Sequence, residues 1–196
     1  MFETRKVAEL ELMYNIFQQV EGGATDIILE YMTTYIEAEG KKIITKPENI
    51  KDPIKFTEDL LKLKEDMDNL IISSFGNDIQ FQKKENETFQ KFMSECAKTP
   101  HFLALYLDNL FKKNIRTLSD TQIEDLLDAQ VRLFCCLNGR DTFICAYSNL
   151  LAMRLINKTS LSNKAEELMI KKLQVECGHN TVSKIKTMFE DMIKSQ

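Results

Sequence analysis

Between Pro53 and Phe75 the apolar residues Phe56, Leu60, Leu63, Met67 and Leu70 recur at alternating spacings of four and three. That spacing lays them along one stripe of an α-helix, with polar residues on the remaining faces. The end of the chain repeats the theme with Val182, Ile185, Met188, Phe189 and Met192, and a third stripe runs through Ile123, Leu126, Leu127, Phe134 and Leu137. No stretch alternates apolar and polar residues with period two for long enough to predict a strand. The expected fold class is therefore all-α.

Start and stop signals divide the chain. Asp52-Pro53 supplies an N-cap followed by a first-turn proline, and Thr99-Pro100 is expected to repeat that arrangement. Ser119-Asp-Thr-Gln122 reads as a capping box, in which the serine oxygen and the glutamine side chain satisfy each other's exposed backbone N–H groups. All six glycines (Gly22, Gly23, Gly40, Gly76, Gly139, Gly178) and all three prolines (Pro47, Pro53, Pro100) are read as falling where helical periodicity breaks. The pattern predicts helices over 2–20, 24–39, 53–74, 78–96, 100–113, 120–138, 140–156, 163–177 and 182–194. The segment 41–52 is then the longest connection and the expected mobile or variable region.

Composition narrows the function classes. The 196 residues carry 30 acidic and 26 basic side chains, a net charge of -4. Nucleic acids and anionic membranes draw proteins through a basic excess, which is absent here. The lysine pairs Lys41-Lys42, Lys112-Lys113 and Lys171-Lys172 read as solvated helix ends and faces. No apolar run approaches the roughly 20 residues that span a bilayer. The charged start Met-Phe-Glu-Thr-Arg-Lys leads into an amphipathic pattern, unlike a secretory signal. Five cysteines (Cys96, Cys135, Cys136, Cys145, Cys177) are an odd set without metal-like spacing and are expected to be reduced and mostly buried. The expected compartment is cytoplasm, nucleus or both.

Reactive chemistry finds little support. The two histidines, His101 and His179, belong to no His-Glu-x-x-His or Cys-x-x-Cys pattern, and no phosphate-cradling glycine loop occurs. Glu124, Asp125 and Asp128 share one helix and are expected to face solvent rather than a cleft. Cys177-Gly178-His179 sets a thiol two residues from an imidazole, a conceivable nucleophile and base. Yet Cys177 closes a predicted helix, whose negative end disfavours thiolate. The residues alone nominate no catalytic, cofactor-binding or metal site, no cofactor and no small-molecule ligand.

The run Arg140-Asp-Thr-Phe-Ile-Cys-Ala-Tyr-Ser-Asn-Leu-Leu-Ala-Met-Arg-Leu-Ile156 resembles the cullin signature, in which Asp-Val-Phe leads to Tyr and then Leu-Ala-x-Arg-Leu. The blocks Ala165-Glu-Glu-Leu-Met-Ile-Lys-Lys-Leu173, Glu176-Cys-Gly178, Ser183-Lys184 and Met188-Phe-Glu-Asp191 follow in the cullin order. Upstream, Leu12-Met-Tyr-Asn-Ile-Phe17, Tyr35-Ile-Glu-Ala-Glu-Gly-Lys41, Leu60-Leu-Lys-Leu-Lys64, Ser74-Phe-Gly-Asn-Asp78 and Tyr106-Leu-Asp-Asn-Leu110 are similar to the opening of that family's third helical repeat. Neutral Ser148, Asn149 and Met153, and Thr181-Val-Ser183 in place of a tighter Thr-Ser pair, mark a divergent member.

The resemblance implies an elongated helical stalk over 1–138 and, from a boundary near Gly139, the first helices of an incomplete helical bundle over 139–196. It implies a non-catalytic scaffold segment of a cullin-RING ubiquitin ligase. The implied protein partners are a RING-box protein, a substrate adaptor and cullin regulators, met through the full-length parent. Two other readings stand beside it: a short cullin-like binding module outside any ligase, and a thiol enzyme using Cys177 and His179.

Overall fold

The structure is a computed structural model that describes residues 7–19 and 24–194. Residues 2–6 and 20 of the first expected helix, and the Gly22-Gly23 break, lie outside the described residues. The helices are α1 (Val7–Gln18), α2 (Ala24–Thr45), α3 (Pro47–Lys51), α4 (Pro53–Ser74), α5 (Ile79–Ser94), α6 (Thr99–Asn109), α7 (Asp120–Cys135), α8 (Arg140–Ile156), α9 (Asn163–Cys177) and α10 (His179–Lys194). A π-helical turn, Leu110–Asn114, and a 3-10 turn, Ile115–Thr117, follow α6. No strand occurs among the described residues, and none of their helices is long and apolar enough to cross a membrane.

The caps explain several boundaries. Asp52 accepts from the backbone N–H groups of Ile54 and Lys55, and Pro53 occupies the first turn of α4. Ser119 and Gln122 form the reciprocal capping box at the start of α7. Ser162 caps α9 by accepting from the Ala165 N–H. Thr99 corrects the expectation drawn from Thr99-Pro100: Lys98 precedes the helix, and Thr99 lies within its first turn with its hydroxyl on the Met93 carbonyl at 3.3 Å.

The segment 41–52 also departs from expectation. Helix α2 runs on to Thr45 and α3 follows after one residue, so the supposed loop is nearly all helix. Ile44 and Asn49 are buried, and the Asn49 amide donates to Asp59 Oδ2 at 2.9 Å, pinning the segment to α4. Gly40 misled because it breaks nothing. It sits inside α2, where an added Cβ would come within 2.6 Å of the Phe92 ring of α5. Close helix approach outweighs the weak helix propensity of glycine there. At the other end, α10 begins at His179 rather than 182. Gly178 (φ 79°, ψ 165°) occupies backbone space that is nearly closed to other residues, so one residue suffices to join α9 to α10.

Helix α4 lies at the centre of the first part, against α1, α2, α5, α6 and α7. It buries Phe56, Leu60, Leu63, Met67, Leu70 and Ile71, which is the stripe read from the sequence plus one flanking position. Helix α2 packs along α5, α6 along α8, α7 along α9, and α10 closes on both α8 and α9. The buried apolar residues form one connected core from Leu10 in α1 to Phe189 in α10.

Two glycine substitutions separate two causes. Gly40→Ala should destabilise by about 1–3 kcal/mol through crowding of Phe92, and a second change, Phe92→Leu, should recover part of the loss. Gly178→Ala meets no atom within 4 Å, so its cost, also about 1–3 kcal/mol, comes from backbone strain alone. No side-chain trimming should recover it. Urea unfolding of the single and double variants measures both.

Candidate functional site

The most constrained cluster of polar groups lies where α6, α8 and α9 meet. Arg154 of α8 is wholly shielded from solvent. Its Nε and Nη2 donate to Glu166 Oε1 and Oε2 of α9 at 2.7 and 2.9 Å, and its Nη1 donates to Asp108 Oδ1 of α6 at 2.8 Å. The guanidinium lies over the Phe111 ring of the π turn, 5.0 Å from its centroid, and 5.7 Å from that of Tyr147. Ser160 donates to Glu166 at 2.9 Å, and Lys112 donates to Asp108 at 2.8 Å. The connection between α8 and α9 is tied down as well: the Leu161 N–H reaches the Phe111 carbonyl at 3.1 Å.

Helix register delivers these groups to one point. Arg154 stands seven positions beyond buried Tyr147 and three beyond buried Leu151. Glu166 opens the stripe continued by Met169, Ile170 and Leu173. Each charge therefore occupies a core position of its own helix. Burial pulls the Arg154 guanidinium towards deprotonation, but the hydrogen bonds and charge of Glu166 outweigh it and raise its pKa. Burial, then the neighbouring Glu166 charge, lifts the Tyr147 hydroxyl well above its ordinary value.

A second charged node joins α4, α5 and α7. Lys64, only 4% exposed, bridges Asp68 Oδ1 and Glu85 Oε2, each at 2.8 Å, and Arg132 of α7 approaches Asp68 at 3.3 Å. Lys64 shares two carboxylates. Burial lowers its proton affinity, but Glu85 and Asp68 more than restore it. Glu85 has one cation, and its Oε1 has no hydrogen-bond partner among the described residues. Desolvation dominates at Glu85 and, with the charge and hydrogen bonding of Asp68 adding to it against Lys64, pushes its pKa from 4.5 up to about 7.

The cysteines fit a different pattern from the one expected. All five are free, but only Cys136 is fully buried and Cys145 is exposed. Cys135 donates to Glu176 at 3.1 Å, and burial pushes its thiol up to about 12. At Cys177, burial again raises the thiol pKa; Arg140 opposes it, while Glu176 and Asp141 add to it. The His179 ring lies against the Gln174 side chain. A thiol whose pKa is raised, with the His179 imidazole set against Gln174, is poorly arranged for nucleophilic attack. His101 is exposed on α6. No cluster of His, Cys, Asp and Glu suited to a metal ion occurs among the described residues. On α7, Glu124 and Asp125 are exposed as expected, but Asp128 is half-buried and pairs with Lys172 of α9.

The family model described as the cullin alpha solenoid domain matches residues 1–196. The chain belongs to the cullin family. Cullin-3A of Arabidopsis thaliana is 36% identical over 191 residues, covering 97% of this chain and 26% of that protein. Cullin-3 of Dictyostelium discoideum is 33% identical over 196 residues, covering all of this chain and 25% of that protein. Cullin-4A of Mus musculus is 31% identical over 193 residues, covering 98% and 25% respectively. The chain thus spans about a quarter of the length of the curated relatives it matches.

Among the cullin blocks, Leu-Ala-x-Arg-Leu contains Arg154 and Glu-x-x-Met-Ile contains Glu166. The salt bridge between them joins two stretches that had been compared only as separate motifs. Lys64 ends the Leu60–Lys64 block, whereas Glu85 belongs to none of the blocks. Register marks both: Leu60, Lys64, Met67 and Ile71 follow helical spacing on the buried face of α4, and Phe81, Glu85, Thr88 and Phe92 do so on α5.

Arg154→Met should destabilise the fold by about 3–5 kcal/mol, because Glu166 and Asp108 would be left buried without their cation. Chemical unfolding measures this, and the double variant Arg154→Met/Glu166→Leu should lose less than the sum of the single losses. The Glu85 node predicts a pH slope. A carboxyl with raised folded-state pKa contributes stability below about 4.5 that is lost as pH rises through about 7. Glu85→Gln should flatten the unfolding free energy across that window.

Proposed function

We propose that this cullin chain is a non-catalytic scaffold segment of a cullin-RING ubiquitin ligase, a stiff link between the substrate-adaptor end and the end that recruits the ubiquitin carrier. The observation that carries this reading is the unbroken apolar core from α1 to α10, locked by the buried Arg154 bridge across α6, α8 and α9. Tethering two reactants to one body raises their effective concentration only if the body keeps them in reach of each other. Helices of about 20 residues span roughly 30 Å, and shared packing between successive helices resists bending. The chemistry then belongs to the bound partners, and this segment contributes position.

Within this proposal residues 1–138 form the stalk repeat and residues 139–196 the first helices of the following bundle. The Asp108–Arg154 bridge crosses that boundary at 2.8 Å, so the joint at Gly139 is braced rather than hinged. The RING-box protein, adaptor and regulators are met through the full-length parent, in cytoplasm or nucleus, and the isolated segment does not hold the RING-box protein alone.

Replacing Leu60, Leu63 and Met67 together by glycine in the full-length parent should loosen the stalk at α4. With adaptor and RING-box protein still bound, ubiquitin transfer to an adaptor-held substrate should fall severalfold. Unchanged transfer on a demonstrably loosened stalk would reject rigidity as the working property. Tight capture of a RING-box protein by the 196-residue chain would favour the independent binding module.

A further inference from the structure

A cleft of about 510 Å³ opens beside the Lys64 node, walled by α4, α5, α7 and the end of α9. Four carboxylates line it, Glu65, Asp68, Glu85 and Glu176, against two cations, Lys64 and Arg132. Glu85 is 99% shielded and its Oε1 has no partner among the described residues. A buried carboxylate oxygen without a donor is costly, and native structures generally give such an atom a partner.

We infer that this cleft receives an arginine side chain from an extended segment of a partner protein, with the guanidinium completing the hydrogen bonding of Glu85. Charge selects a cation, because the lining carries two more carboxylates than cations. Arginine suits the place better than lysine: its guanidinium is weakly hydrated and delocalised, so it tolerates a dry site beside the Lys64 ammonium. The walls suit its stem, since Ile72 and the edge of Val131 present apolar surface on which the methylenes can lie. Ile72 is itself 59% exposed at the rim. The exposed residues Asn69 of α4 and Asn86 of α5 also line the cleft, and their amides can meet the main chain beside the arginine. Entry requires the mouth to open, and Arg132, about half exposed and 3.3 Å from Asp68, is the side chain placed to swing aside. Burial and the Asp68 charge, which raise the Glu85 pKa, are what a bound cation would oppose.

The proposal does not depend on membership of a ligase, and its test uses the 196-residue chain. A capped Gly-Gly-Arg-Gly-Gly peptide, its lysine and glutamate counterparts, and spermidine are titrated on the alkaline side of neutrality, where Glu85 is ionised. Carbon-detected NMR follows the Glu85 carboxyl and the Asn86 side-chain amide. The arginine peptide should give weak but saturable shifts at both, the lysine peptide should bind severalfold more weakly, and the glutamate peptide should not bind. Glu85→Gln should weaken the arginine peptide by about tenfold or more, the scale of one lost charge-assisted hydrogen bond. Arg132→Ala, at a half-exposed position and checked to be folded, should strengthen it severalfold by removing the internal competitor. The absence of saturable shifts in both the parent chain and Arg132→Ala would overturn the assignment. So would binding that survives in folded Glu85→Gln, equal response to arginine and lysine, or preference for spermidine.

Discussion

Taking a guanidinium out of water costs several kcal/mol even after the protein relaxes, and the cost is recovered only when its donors meet anions in good geometry. Arg154 meets that condition by drawing on three helices, with Glu166 matching its planar fork through two parallel bonds and Asp108 taking a third donor. Apolar stripes can slide past one another with small changes in energy. A buried fork cannot, because a shift of an ångström breaks bonds that no water can replace. The Arg154 bridge therefore fixes how α6, α8 and α9 stand. The π turn follows from the same constraint, since it presents the Phe111 ring to the guanidinium and the Phe111 carbonyl to Leu161.

The Lys64 node does comparable work in the first part of the chain, joining α4 to α5 and, through Asp68 and Arg132, to α7. The two nodes differ in completeness. Arg154 has all the anions its fork requires, whereas Glu85 retains an oxygen without a donor among the described residues. One site is thus suited to holding helices and the other to receiving something from outside. For a cullin segment whose proposed value is where it holds its neighbours, directional polar nodes within a continuous core are a physical source of that stiffness.

Much of the fold was legible along the chain. The 4-3 spacing from Phe56 to Leu70, the Asp52 cap and the Ser119–Gln122 box fixed helix type and several starts, because they depend on residues within one or two turns of each other. The failures have the opposite character. Gly40 read as a break, yet it sits inside a helix because Phe92, distant in sequence, needs the space. Lys64, Arg154 and Glu166 stood in motif blocks without an assigned partner, because nothing local reveals that a counter-charge arrives from another helix.

The sequence by itself determined an all-α chain of amphipathic helices and, through its motif blocks, membership of the cullin family. Periodicity, capping and short motifs are local properties, and local properties are written in consecutive residues. Only the tertiary structure decided that Arg154 meets Glu166 and Asp108, that Glu85 Oε1 meets no donor among the described residues in a walled cleft, and that burial adds to the rise of the Cys177 thiol's pKa. Those outcomes depend on which helix faces which and on how far water is excluded, quantities set by the packing of the whole chain.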